Sequence, residues 1–244
     1  MSMPTAYAAG FFLTLFPLSL VFNALFGWAR HPLARSVLVL VWPQIGLLLF
    51  TEVPGGAAPW AIATAGFYAL RMLAVREMGI WTAQLATGLW AILWLVLPAG
   101  DPAAVHLYAL AMSLPLVLLV LVAHHVTRRF GAAYAGAPGG LATRTPRLAG
   151  VLVVAVLVAV CTPPAAPFFV LLEGMFRATL SQALALSFVW LLWSWAGIRL
   201  IQGMVIGPGG GDATRDLAKW IAWAYGAGIV GCTLLGIHIA GGLS

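Results

Sequence analysis

Apolar stretches of bilayer length, almost free of charge, follow one another along this chain and decide what it can become. A helix needs roughly 20 apolar residues to cross the hydrocarbon core. Runs of about that length lie near 6–29, 36–51, 59–76, 79–98, 103–127, 147–171, 175–206 and 217–241. With 63% of residues hydrophobic and 7% charged, polar surface is too scarce to coat a soluble globule. Strand alternation and repeats of fixed length are both lacking. The expectation is an all-α, polytopic helical membrane protein with about eight transmembrane helices, built as a single transmembrane domain over 1–244. The second span is short, and the seventh is long enough to tilt or to begin with an interfacial turn.

Charge then orients the bundle. Ten of the 12 Lys and Arg residues fall on the odd connectors: Arg30, Arg35, Arg71, Arg76, Arg128, Arg129, Arg144, Arg147, Arg215 and Lys219. Arg177 lies on an even connector, and Arg199 lies inside the seventh span. The positive-inside rule places the odd connectors in the cytoplasm and both termini outside, in a cytoplasmic (inner) membrane. The first span lacks the basic flank and cleavage pattern of a removable signal, so it is taken as an anchor. A net charge of +6 invites a nucleic-acid reading, but the basic residues are dispersed and no aromatic-basic module accompanies them.

Ionisable groups within spans mark ion or proton paths, because charge in hydrocarbon is costly. Few are present. Arg71 and Arg76 can snorkel to an interface. Glu52 is interfacial, and Asp101 before Pro102 has the pattern of a helix cap. Glu173 and Arg177 are four apart and form an ion pair at the outer interface if one helix carries both; the alternative makes Glu173 an outer proton acceptor. Arg199 lies deeper than the other cations. His124 and His125 adjoin Arg128 and Arg129 and could relay protons at a pathway mouth, but neighbouring histidines face different sides of a helix and do not chelate. His106 and His238 are solitary. The polar residues available to line a cavity are mainly Asn23, Gln44, Gln84, Gln182 and Gln202. Metal-ligand spacing, a nucleophile–base arrangement and a quinone signature are all missing, so no cofactor or metal is expected and the chain is not expected to catalyse alone.

Two packing signals stand out. Ala224, Gly228, Cys232, Gly236 and Ala240 recur every four residues and draw a small-residue stripe down the last span, along which backbones can approach closely. Either this chain's own bundle or another subunit's helix can face it. Cys161 and Cys232 are read as small apolar packing residues. The second signal is TPPAAP, which breaks the apolar helix after the loop GGLATRTPRL. Proline removes a donor and clashes with the preceding turn, so Pro163, Pro164 and Pro167 call for protein or water to satisfy the freed carbonyls, as in a bundle interior.

The run GGLATRTPRLAGVLVVAVLVAVCTPPAAPFF resembles the loop and broken helix in the antiporter-like subunits of proton-pumping NADH:quinone oxidoreductase, membrane-bound hydrogenases and Mrp sodium/proton antiporters. In that family a GGL-x4-P loop leads into a helix ending PP-x-AGF-x-GK or GE. IRLIQGMVIGP, 198–208, is similar to the LR-x-YQ-x-x-FGP end of the family's next helix. FYALRMLAVREMGIWTAQLATG, 67–88, is similar to the segment carrying a D-x-K-R-x-x-AYS turn. The likeness runs roughly over 60–240, the C-terminal half of a family member, and leaves 1–58 without a clear match.

What the resemblance implies is an inverted-repeat transporter fold with a central polar axis. The departures are in the charges. Leu171 or Leu172 stands where the family has lysine or glutamate after the break, with Glu173 just beyond. Leu114 or Pro115 replaces a histidine, and Gly79 replaces the D-x-K-R lysine. The resemblance thus implies a shortened, charge-depleted relative serving as a membrane subunit of a proton- or sodium-translocating complex, among other membrane subunits and lipid. Its contributors to ion movement would be Glu173, Arg177, Arg199, His124 and His125. An independent transporter of small solutes or inorganic ions is the alternative.

Overall fold

In the computed structural model, residues 9–49, 56–97, 102–136, 139–207 and 215–241 are described. Glu52 and Asp101 lie outside them. Ten helices are named here: α1 (Ser19–Trp28), α2 (Pro32–Leu48), α3 (Ala57–Ala74), α4 (Met78–Val96), α5 (Pro102–Phe130), α6 (Leu141–Arg144), α7 (Pro146–Ala159), α8 (Ala166–Arg177), α9 (Leu180–Val205) and α10 (Lys219–Gly241). Among the described residues the architecture is all-helical, with one isolated backbone bridge between Glu77 and Tyr134. Four helices, α4, α5, α9 and α10, are by themselves long and apolar enough to cross a membrane, which makes this a multi-pass membrane protein. The remaining crossings expected from the sequence correspond to shorter or interrupted helices.

Helix α4 is the hub. It packs against α1, α3, α5 and α8. Trp81, Trp90 and Trp94 are wholly enclosed along it. Its start is fixed by Glu77, whose carboxylate accepts from the Gly79 and Ile80 N–H groups as an N-cap. The connector after α5 lies alongside that start: Ala133 O accepts from Met78 N at 2.9 Å, and Ala135 N donates to Arg76 O at 2.8 Å.

Three expectations about spans need correction. The first is not one helix: residues 9–12 are helical, Thr14 has φ 55°, and α1 restarts at Ser19 after Pro17. The boundary near 171–175 moves to 177–180, so the sixth crossing runs through its break to Arg177. Helix α9 then opens at Thr179 with a capping box, in which Thr179 Oγ1 accepts from Gln182 N and Gln182 Oε1 accepts from Thr179 N. The seventh span therefore has no interfacial turn of its own. The signature T-L-S-Q is visible in the sequence at 179–182.

Candidate functional site: two broken crossings and a central polar network

The apolar helix is interrupted after α7, within TPPAAP. Helix α7 ends at Ala159, Cys161 has φ 62°, and α8 begins at Ala166 with Pro167 in its first turn. Cys161 O is satisfied from outside the helix by the Trp190 indole N–H of α9 at 3.1 Å. Pro163 and Pro164 are exposed, whereas Val160, Cys161, Ala165, Ala166 and Pro167 are buried. The small-residue stripe of α10 leans on this break. A Cβ at Gly236 would lie 2.6 Å from Pro164 O and 2.9 Å from Ala166 N, and one at Gly228 would lie 3.1 Å from Leu118 of α5. Cys232 packs on Val158 and Ala165. The middle of the stripe thus faces this chain's own bundle; Ala224 is exposed and Ala240 half-buried.

The break before α1 is the counterpart that a single proline did not announce. Its freed groups are satisfied by side chains of distant helices. The Trp94 indole donates to Leu13 O at 3.1 Å, the Trp60 indole donates to Phe16 O at 2.7 Å, and Thr64 Oγ1 accepts from Phe16 N at 3.2 Å. Thr14 Oγ1 donates to Thr87 O at 3.0 Å. In both interrupted crossings an indole N–H therefore caps an orphaned carbonyl, a bond that holds where water is excluded.

Immediately beyond lies a network of uncharged polar groups. Asn23 Nδ2 donates to Ser19 O at 2.9 Å and Thr87 Oγ1 at 3.0 Å, and the Ser19 and Tyr68 hydroxyls are 2.9 Å apart. Ser19, Tyr68 and Thr87 are fully buried. One turn from Thr87, Gln84 is 2% exposed and its Oε1 has no hydrogen-bond partner. Of these residues, sequence reasoning singled out Asn23 and Gln84 and missed Thr14, Ser19, Tyr68, Thr87 and the two indoles. The available signal was Pro17 and Asn23 within one apolar run.

The residues expected to carry ions divide between the two ends of the bundle. Glu173 is 7% exposed, hydrogen-bonded to the Arg177 guanidinium within α8, and lies within electrostatic reach of Tyr108. Neighbouring Gly174 lets α8 approach Ile92 and Leu95 of α4, and the carboxylate is buried against the protein. Leu171, at the position of the resemblance's charge, is buried in the core. His106 is not solitary: Gln44 Oε1 meets its Nδ1, and Gln44 Nε2 donates to its carbonyl at 3.2 Å. His238 is exposed.

At the other end the odd connectors converge. Arg129 Nε donates to Arg215 O at 3.1 Å, and Asp216 accepts from Arg147 N and Leu148 N, capping α7. Arg199 lies six residues before the end of α9, is exposed, and shares a cavity of about 180 Å³ with Arg76. His124 lines a second cavity with Arg30, Arg35 and Glu77, while His125 bonds Arg129 and stacks edge-on to Tyr225 at 6.0 Å. The structure thus sets His124, His125 and Arg199 at one end and the Glu173–Arg177 pair at the other, with the neutral network between them. At Gly79, where the resemblance expects lysine, a Cβ would lie 2.7 Å from Arg35 Nη1 and 2.9 Å from Glu77 Oε1, so a side chain there displaces the ends of both. Among the described residues no cluster of His, Cys, Asp and Glu could hold a metal ion.

This geometry has known counterparts. The chain superposes on a chain of respiratory complex I from Thermus thermophilus with TM-score 0.79 and 21% identity, over 96% of this chain and 53% of that one. It is similar to a chain of the membrane-bound sulfane sulfur reductase, an archaeal respiratory membrane complex, with TM-score 0.80 and 18% identity over 94% and 51%. It is also similar to a chain of the Mrp complex from Dietzia sp. DQ12-45-1b, with TM-score 0.79 and 13% identity over 96% and 55%. The chain has the fold of half of such a subunit. No protein-family model and no curated protein matches it. It spans about half the length of each chain it resembles, and because nearly all of this chain is covered, the likeness takes in most of residues 1–58 as well.

Proposed function

We propose that this chain is an integral membrane subunit of an ion-translocating, energy-converting complex of the NADH-quinone oxidoreductase or Mrp type, packed beside a fuller antiporter-like subunit as a structural or accessory element. The observation that carries the proposal is the neutrality of the network between the two breaks. The fold of a subunit half is present from end to end, yet Thr14, Ser19, Asn23, Tyr68, Gln84 and Thr87 occupy the interior where a working path would need groups that gain and lose a proton. Gly79 and Leu171 extend that neutrality to positions where the family has charge.

In this reading the arginine-rich end lies in the cytoplasm and both termini lie outside, following the positive-inside rule. Glu173 and Arg177 then sit toward the outer face and hold α8 in register, and His124, His125 and Arg199 border the cytoplasmic mouth. Protons or sodium ions cross in the partner subunit. Proteoliposomes with an imposed pH or sodium gradient test this division: the isolated chain moves neither ion above empty vesicles. Ion flux through the lone chain, abolished by Glu173→Gln, overturns it in favour of an independent transporter.

A further inference from the structure

At the arginine-rich end, α1, α2, α3 and α4 enclose a cavity of about 210 Å³ lined by Asn23, Phe26, Arg35, Arg71, Ile80 and Gln84, among others. We propose that this cavity binds the phosphate of a phospholipid headgroup that also carries an N–H or O–H donor. The basis is independent of the functional reading above, because it uses only this chain's own groups.

The two guanidiniums come from different helices, and that of Arg35 is held in place before any ligand arrives. Arg35 Nε donates to Phe26 O at 3.2 Å and Ala29 O at 2.7 Å, and the guanidinium lies 4.9 Å from the Phe26 ring centroid. That leaves its two terminal nitrogens for other partners. Arg71 lies over Phe67 at 5.8 Å and Tyr68 at 6.0 Å. Planar, weakly hydrated guanidiniums backed by aromatic faces suit the recognition of phosphate oxygens. No carboxylate lines the cavity. Glu77 lies in the adjoining one, and its oxygens are engaged by the Gly79 and Ile80 N–H groups.

Gln84 supplies the second, independent indication. It lines this cavity, is 2% exposed, and its Oε1 has no partner. A buried carbonyl left so costs about 1–3 kcal/mol, and the cost is relieved when the side-chain amide turns this closed-off oxygen to a donor delivered into the cavity. A bare phosphate diester satisfies the arginines but not this oxygen. A headgroup bearing both phosphate and an ammonium or hydroxyl satisfies both. A volume of about 210 Å³ leaves room for such a headgroup. The surroundings favour a lipid over a soluble anion: Trp28 is 83% exposed, Ile80 49% and Leu25 38%, so apolar surface adjoins the charged cavity where acyl chains would lie.

The test uses the full chain in detergent, stripped of lipid and titrated with mixed micelles of phosphatidylglycerol, phosphatidylethanolamine or phosphatidylcholine, or with inorganic phosphate. Thermal stability and native mass spectrometry are the readouts. Phosphatidylglycerol and phosphatidylethanolamine bind about tenfold more tightly than phosphatidylcholine, whose headgroup has no donor, the equivalent of one hydrogen bond. Gln84→Leu, which conserves volume, abolishes that preference without lowering stability in the lipid-free state. Arg71→Gln weakens all three lipids, and Arg71→Lys restores part of the binding. Equal binding of the three lipids, indifference to these substitutions, or water alone in the cavity overturns the proposal. Protection by inorganic phosphate equal to that by lipid overturns the lipid assignment and leaves a soluble-anion site.

Discussion

Helices α4 and α10 have nearly the same length and mean hydropathy, yet 94% of the apolar window of α4 is buried inside the protein against 17% for α10. The first is a core and the second a rim. Hydrocarbon tails are as apolar as leucine, so apolarity cannot tell a lipid-facing surface from a protein interior. The difference lies in the minority residues. Helix α4 carries Thr87, Trp90 and Trp94, whose polar groups bond Asn23, Ser113 and Leu13 elsewhere in the bundle, whereas α10 shows Trp220, Trp223, Val230, Leu234 and Ile237 outward and buries only Tyr225, Cys232, Gly236 and Ile239. A polar group is costly against hydrocarbon, so it reports where protein surrounds the helix.

The comparison breaks most sharply at the one place where α10 touches backbone. Gly236→Leu drives a side chain into the carbonyl of Pro164 and the N–H of Ala166, and thermal unfolding in detergent should show a loss of more than about 3 kcal/mol or no folded protein. Gly226→Leu on the same helix, where a Cβ meets nothing within 4 Å, should change stability by less than ~0.5 kcal/mol. Next comes the core indole: Trp94→Phe orphans Leu13 O and should cost about 1–3 kcal/mol, while Trp223→Phe, 79% exposed in the wild type, should be near neutral. Asn23→Leu removes the donor shared by Ser19 O and Thr87 Oγ1 and should cost about 1–2 kcal/mol by the same assay. Among the substitutions that disturb an interaction, the smallest effect belongs to Glu173→Gln, which keeps the shape and one hydrogen bond to Arg177. It should cost about 1 kcal/mol and leave ion movement by an intact complex within about twofold.

Much of this architecture was legible in the sequence. The spans read at 59–76 and 217–241 are Ala57–Ala74 and Lys219–Gly241, because apolar runs are bounded by glycine, proline and arginine. TPPAAP announced its break because consecutive prolines leave a helix no way through. Pro17 did not, since a single proline is ambiguous: Pro43 and Pro115 lie inside α2 and α5, which continue past them. The polar network was hidden for another reason. Its bonds between different crossings join residues 45 to 73 positions apart, and no local pattern records which hydroxyl meets which amide. Glu173 and Arg199 were placed by distance from span ends, which does not record what packs around them: the first is buried beside Gly174, the second exposed beside Arg76.

The central claim is that a chain with a subunit's fold and a neutral interior works only beside a partner that carries the charge. Affinity purification of the full chain from its native membrane in a mild detergent, followed by native mass spectrometry, measures this directly. The account predicts a stoichiometric membrane partner with titratable residues along its own interior, retained through size exclusion. A monodisperse chain of 25.7 kDa with lipid and no protein partner contradicts it.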